Sequence, residues 1–226
     1  MEIDSHGRNL ERDNIFVLVS PWKVPSFVYF LIERKIPKNF GLIHYSYPKK
    51  ILDEDPFLTR KYFLEIINSI SRDLAKLNNQ KPRNFYMYGQ SLGCLFCVIV
   101  ADFIKIRKMA LIVPGLSLPE SFWQGNSTRE LKEKMEKKGI TLAKLKEIWK
   151  DISPENYFKD KALGCEFFIT LSTKDRIIPY KDGLKLIELL KSENIKFTLR
   201  KSGKYSHREL VLLDILFFKT ARFLFS

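Results

Sequence analysis

Short apolar runs alternate with longer stretches of helical period along most of the chain. Residues 15–19, 42–45, 85–88, 109–113, 166–171 and 196–200 predict six strands. Between them, residues 25–35, 56–77, 92–106 and 181–191 predict helices, and residues 207–224 predict a closing helix. In the second of these helices Phe63, Ile66, Ile67, Ile70, Leu74 and Leu77 recur at helical spacing. Pro25 stands near a first helical turn, where a missing N–H costs nothing. Such βαβα alternation implies a mostly parallel sheet of about six strands with helices on both faces, an α/β domain spanning residues 1–226.

One segment breaks the rhythm. Residues 116–163 contain no strand pattern and predict two helices, an insertion placed to act as a cap or lid. The first is expected to start at a capping box, Ser127-Thr128-Arg129-Glu130, and to end near Gly139. The second starts near Thr141 and runs to Trp149 or beyond, before Ser153-Pro154. Phe122, Trp123, Met135 and Trp149 either dock this insertion on the core or line an acyl pocket, and docking is the preferred reading.

Between the third strand and its helix stands Gly89-Gln90-Ser91-Leu92-Gly93. A Gly-x-Ser-x-Gly on a strand-turn-helix unit is what a nucleophile elbow needs. The turn is so sharp that the serine Oγ stands clear of the sheet, and the flanking backbones leave no room for a Cβ. A serine attacks at neutral pH only if a base takes its proton. The chain has three histidines. His6 lies in the polar N-terminal tail, and His44 lies in or at the end of the second strand, either buried in the sheet or facing the site. His207 follows the sixth strand, after the serine in sequence, and is the candidate base. Asp175 follows the fifth strand and is the candidate that orients the imidazole. A carboxylate there is also common in turns, but its place between Ser91 and His207 favours the chemical role.

These residues resemble those of the α/β-hydrolases, over almost the whole chain from about Ile15. The likeness rests on Gly89-Gln90-Ser91-Leu92-Gly93, then Thr173-Lys174-Asp175-Arg176-Ile177-Ile178-Pro179, then Ser206-His207, in the family's order of serine, acid and histidine. Ser153-Pro154-Glu155-Asn156-Tyr157 resembles the family's return from its cap. The resemblance implies an oxyanion hole of two backbone N–H groups, one from Leu92 and one from the loop after residues 15–19. That loop reads Ser20-Pro21-Trp22-Lys23 where many esterases carry His-Gly, and Pro21 has no N–H to give. Trp22 is then the expected donor, with Lys23 next; Trp22 is equally suited to wall the pocket. The residues before Ile15 are too few for the family's usual first two strands.

The implied activity is a serine hydrolase cleaving a carboxylic ester or thioester through an acyl-enzyme. The alternatives are an acyltransferase or carbon–carbon hydrolase on the same triad, or a non-catalytic binding protein of the same fold. The chemistry calls for no metal and no organic cofactor, and the partner is a small-molecule acyl substrate.

The remaining composition adjusts this picture little. The 226 residues are 45% hydrophobic, enough for one core. A net charge of +13 invites a nucleic-acid reading, but Lys and Arg are interleaved with Glu and Asp, as in Arg129-Glu130-Leu131-Lys132-Glu133-Lys134, so no nucleic-acid partner is expected. The charge can still favour anionic substrates or surfaces. No run is long enough for a membrane anchor, and the N-terminus lacks a secretory pattern. Three cysteines, an odd number, fit a reducing, cytoplasmic compartment. Cys94-x-x-Cys97 reads as a pair of core thiols rather than a redox or metal motif. Large apolar residues of the closing helix left exposed would mark a dimer face or a membrane contact.

Overall fold

The computed structural model describes residues 4–157 and 164–226. Its sheet has seven strands: β1 (Asp4–Arg8), β2 (Asn14–Val19), β3 (Phe40–Ser46), β4 (Asn84–Gln90), β5 (Ile106–Ile112), β6 (Glu166–Ser172) and β7 (Phe197–Ser202). Their spatial order is β1-β3-β2-β4-β5-β6-β7, all parallel except β1, which runs antiparallel to β3. Six of these are the strands that the alternation predicts.

The seventh, β1, is made by the segment read as a polar tail. Ser5 to Arg8 are all exposed, so this edge strand is held by backbone pairing and buries no apolar face. Polar edge strands resist further pairing, and by the same token leave no hydrophobic signature to read.

The central strands are buried on both faces, which is why they read as continuous apolar runs. In β2, Ile15, Val17 and Val19 point into one core, while Phe16 and Leu18 point into the other. The helices that cover these faces are α1 (Phe30–Glu33), α2 (Pro56–Gln80), α3 (Leu92–Val100), α4 (Leu118–Gln124), α5 (Arg129–Lys137), α6 (Leu142–Ile148), α7 (Tyr180–Ser192), α8 (His207–Phe217) and α9 (Ala221–Leu224). The first core takes buried residues of α2, α3, α6 and α7; the second takes those of α1, α8 and α9. No helix among the described residues is long and apolar enough to cross a membrane.

Several boundaries differ from expectation for physical reasons. Helix α3 stops at Val100 rather than Ile106, and Ile106 opens β5. Neither Gly nor Pro marks that junction, and only Asp102 and Lys105 interrupt the apolar residues between the two elements. The closing helix is broken at Phe218, whose φ of 43° is left-handed. The break turns Phe218 and Leu224 into the second core, where Phe218 meets Phe16 and Tyr88 at ring separations of 5.9 and 5.4 Å. It leaves Leu212, Leu216 and Phe217 exposed.

Among its described residues the insertion carries three α-helices, not two, because α4 begins at Leu118-Pro119 with Pro in its first turn. The capping box expected at Ser127 does not form. Thr128 turns its hydroxyl to the carbonyls of Phe122 and Gly125 instead. A capping box does form at Ser206, where the Glu209 carboxylate accepts from the Ser206 N–H at 2.7 Å. Residues 158–163 of the expected insertion lie outside the described residues. Met135 and Trp149 are fully buried, and Trp149 donates its indole N–H to the Pro56 carbonyl at 2.8 Å, so both dock the insertion on the first core. Trp123 is only partly buried, with the Lys132 ammonium 5.3 Å from its ring centre.

Candidate active site

Strand β4 delivers the chain to Ser91, and α3 carries it away. Ser91 has φ 52° and ψ −122°, a backbone conformation that L-residues rarely adopt. The strain is held on all sides. The Ser91 N–H donates to the Ile112 carbonyl of β5 at 2.8 Å, and its carbonyl accepts from the Cys94 N–H at 3.0 Å. A Cβ on Gly89 would come within 2.8 Å of the Gly93 carbonyl, and one on Gly93 within 2.7 Å of the Ser20 carbonyl. Both glycines are therefore required by close approach.

The structure brings Ser91, His207 and Asp175 together from β4, α8 and the loop after β6. His207 Nε2 lies 2.9 Å from Ser91 Oγ, and His207 Nδ1 lies 2.7 Å from Asp175 Oδ2. The His207 and Asp175 side chains are 6% and 4% exposed, so water competes little for these contacts. Asp175 Oδ1 accepts the N–H groups of Ile177 and Ile178, each at 2.9 Å, which locks the carboxylate in its turn. Ser172, at the end of β6, donates to the Tyr205 carbonyl at 2.6 Å and accepts the Lys174 N–H. The loops bearing Asp175 and His207 are thus stitched to one another. This arrangement can pass a proton from a serine hydroxyl to an imidazole held in one tautomer.

Ser91 borders two concavities. One is a cavity of about 70 Å³ walled by Trp22, Leu52, Leu95, Leu118, Phe122 and Ile178. Phe122 therefore serves both docking and pocket. The other, a groove of about 530 Å³, runs toward α8, where Lys23 and Arg208 stand beside Val28, His207 and Leu212. Leu92 opens α3, where first-turn N–H groups have no carbonyl four residues back. Trp22 lines both concavities and ties its indole N–H to the Lys49 carbonyl at 2.8 Å, so it is a wall of the pocket. Lys23 holds a left-handed φ of 65° and sets its ammonium 3.7 Å from the Trp22 ring centre.

Other residues shape the site without a motif to announce them. Gln90 is fully buried and receives the Tyr29 hydroxyl at 2.8 Å, while its amide donates to Tyr88 Oη and to the Val211 carbonyl. Tyr88 in turn donates to Asp214 at 2.6 Å, and burial pushes the Asp214 carboxyl above its usual range. This network anchors the residue just before Ser91. Its one visible sign in sequence is an Asp inside the apolar run Leu212-Leu213-Asp214-Ile215. Asp182, 3% exposed, accepts the N–H groups of Leu116 and Ser117, each at 3.1 Å, and so fastens α4's approach to α7. Burial raises the Asp182 carboxyl as well. Val113, just past β5, has a φ of 52°, an outlier for a β-branched residue beside the elbow.

His44 does not reach this site. It is 1% exposed, with Nε2 2.7 Å from Ser20 Oγ and Nδ1 3.1 Å from Glu33 Oε1. His6 joins the same cluster, with Nε2 3.1 Å from Glu33 Oε1. Cys94 and Cys97 are fully buried on α3, unpaired, and their thiols are pushed well above the usual range by burial, which makes them inert core groups.

No family model matches the chain, and no curated protein matches it. Solved structures do. The acylaminoacyl peptidase of Pyrococcus horikoshii superposes with a TM-score of 0.65 at 15% identity, over 92% of this chain and 36% of its own. Esterase B from Lactobacillus Rhamnosis gives 0.62 at 12% identity, over 94% of this chain and 76% of its own. A cold-adapted esterase from an Arctic intertidal metagenomic library gives 0.58 at 14% identity, over 94% and 81%. The chain thus spans about a third of the peptidase and most of each esterase. With the strand order above, these likenesses establish the α/β-hydrolase fold.

Proposed function

We propose that this chain is a serine hydrolase that cleaves a carboxylic ester or thioester. The observation that carries the reading is the continuous relay from Ser91 Oγ through His207 to Asp175, opening onto an apolar cavity. His207 Nε2 takes the Ser91 proton as Oγ attacks the carbonyl carbon, and Asp175 stabilises the imidazolium. The N–H groups of Leu92 and Trp22 stabilise the oxyanion, each offering a donor where charge develops. His207 then returns the proton to the leaving oxygen or sulfur. Water, activated by the same imidazole, releases the acid and restores Ser91.

The cavity bears on the substrate. A water needs roughly 10–15 Å³ of such space, so about 70 Å³ suits an acyl chain of a few carbons. Residues 116–163 serve as its cap, with α4 to α6 among their described part. Lys23 and Arg208 on the groove side favour a leaving group that carries negative charge, as does the net charge of +13. The substrate is thus a small acyl compound rather than a nucleic acid. Three free, buried cysteines support a reducing, cytoplasm-like compartment and leave Ser91 as the nucleophile.

The test is a fluorophosphonate probe. Labelling of the folded chain that disappears in Ser91→Ala is the expected result, and absence of labelling at pH 8 in the folded wild type counts against the proposal. Esters of graded acyl length should then show rates falling beyond short chains.

A further inference from the structure

We propose that His6, Glu33 and His44 form a binding site for a divalent cation of the zinc class at the β1 edge of the sheet. His6 and His44 are directly opposed in the β1–β3 pairing, so their side chains rise from the same face. Their rings stand edge to face, with centres 5.0 Å apart. Glu33, at the end of α1, reaches this point from above, and its Oε1 lies 3.1 Å from both His6 Nε2 and His44 Nδ1. Ligand atoms of all three residues fall within 4.8 Å of one another.

The two 3.1 Å separations suit a metal, and a turn of the half-exposed His6 ring brings the third, within 4.8 Å, into range. A tetrahedral ion with ligands at about 2.0–2.1 Å needs its ligand atoms roughly 3.3 Å apart. Two imidazoles and one carboxylate are a donor set for zinc rather than for magnesium or calcium, which prefer oxygen alone. His6 is half-exposed, leaving the fourth position to water, while Glu33 and His44 are 15% and 1% exposed. The Arg8 guanidinium bonds the backbone carbonyl of Glu33, not its carboxylate, so the carboxylate's partners here are imidazoles. A ligating nitrogen offers its lone pair to the ion, so the proton of each ring sits on the other nitrogen. His44 Nε2 then donates to Ser20 Oγ, already 2.7 Å away, which is the outer-shell contact that fixes a ligating histidine.

The site would staple β1 to α1 and β3, which matters because β1 brings no apolar side chain of its own. It also reaches the hydrolytic site through Ser20, whose carbonyl abuts Gly93 and which opens the Trp22 loop. The role is structural, and the proposed hydrolysis runs without it.

Zinc titration of the chelator-treated full chain tests this. The expected result is one equivalent bound, with a rise in Tm of about 5 °C or more at saturation. His6→Asn, on an exposed edge strand and so compatible with folding, should weaken binding at least tenfold, and Ser20→Ala about tenfold. Cobalt in place of zinc should show a nitrogen–oxygen ligand field without a thiolate charge-transfer band. Absence of saturable binding, binding undiminished in His6→Asn, or a thiolate band from the cysteines overturns the proposal. None of these outcomes depends on whether Ser91 is labelled by the fluorophosphonate.

Discussion

Two serine–histidine–carboxylate chains run through this fold. One is Ser91–His207–Asp175; the other is Ser20–His44–Glu33. Both have the order serine, acid, histidine in sequence. Both set histidine Nε2 on the serine, at 2.9 and 2.7 Å, and Nδ1 on the carboxylate, at 2.7 and 3.1 Å. Side-chain geometry therefore does not separate them. Access and backbone do. Ser91 sits at a strained φ of 52° and borders both concavities, whereas Ser20 is 1% exposed and lines neither. The Ser20 N–H is spent on the Tyr45 carbonyl at 3.0 Å, as in ordinary sheet pairing. A carbonyl substrate can approach the first serine and not the second.

The largest expected effect breaks this symmetry at the serines. Ser91→Ala should abolish probe labelling and lower esterase turnover by about 10⁴-fold or more. Ser20→Ala should leave probe labelling of Ser91 in place. Labelling of Ser20 in the Ser91→Ala variant would show that burial does not separate the two. The carboxylates come next. Asp175→Asn should cost about 10³–10⁴-fold in kcat, because the tautomer of His207 is lost, while Glu33→Gln should appear mainly as a lower Tm.

The histidines sharpen the contrast in a different measurement. His44→Ala strips two contacts from a group 1% exposed, leaving Ser20 and Glu33 short of partners. Urea unfolding should register a loss of about 2–3 kcal/mol. His207→Ala should cost turnover about 10⁴-fold but unfolding free energy only about 1–2 kcal/mol, because Ser91 can turn to solvent in the groove and Asp175 keeps the Ile177 and Ile178 N–H groups on its other oxygen. Equal destabilisation by both variants would sink the distinction between a structural and a reactive histidine.

The sequence made the first constellation legible and hid the second. Ser91 was marked by two glycines and a strand–helix junction, and Asp175 and His207 each followed a readable strand. Glu33 and Ser20 carried no such mark. Their meeting depends on β1, whose polar residues bury nothing, so neither periodicity nor composition could place His6 beside His44. The same limit applies to α4 and to the break at Phe218. A short helix entered through proline and a left-handed phenylalanine are decided by what they pack against, not by local pattern. The central strands were readable because burial on both faces forces apolar residues into an unbroken run.

The smallest effect concerns the roof that covers only one of the two serines. Helix α4 holds Leu118 and Phe122 over the Ser91 cavity, and Glu120 pins it. Glu120 accepts from Lys146 of α6 at 2.6 Å and pairs with Lys185 of α7. These two ammonium groups hold its carboxyl below the usual range, their hydrogen bonds outweighing the opposing effect of burial. A depressed acid contributes stability that is fully present above its unfolded value, near about 4.3, and is lost as pH falls through the folded one. Glu120→Gln should therefore cost about 0.5–1 kcal/mol at pH 7, and the difference from wild type should fade below about pH 4. A looser roof should also raise KM for short acyl esters while leaving kcat nearly unchanged. Ser20 has no such roof, so His44→Ala should lower stability by the same amount with or without Glu120→Gln, as for distant sites. Coupling between the two in a double-mutant cycle would mean that the two serines share a scaffold after all.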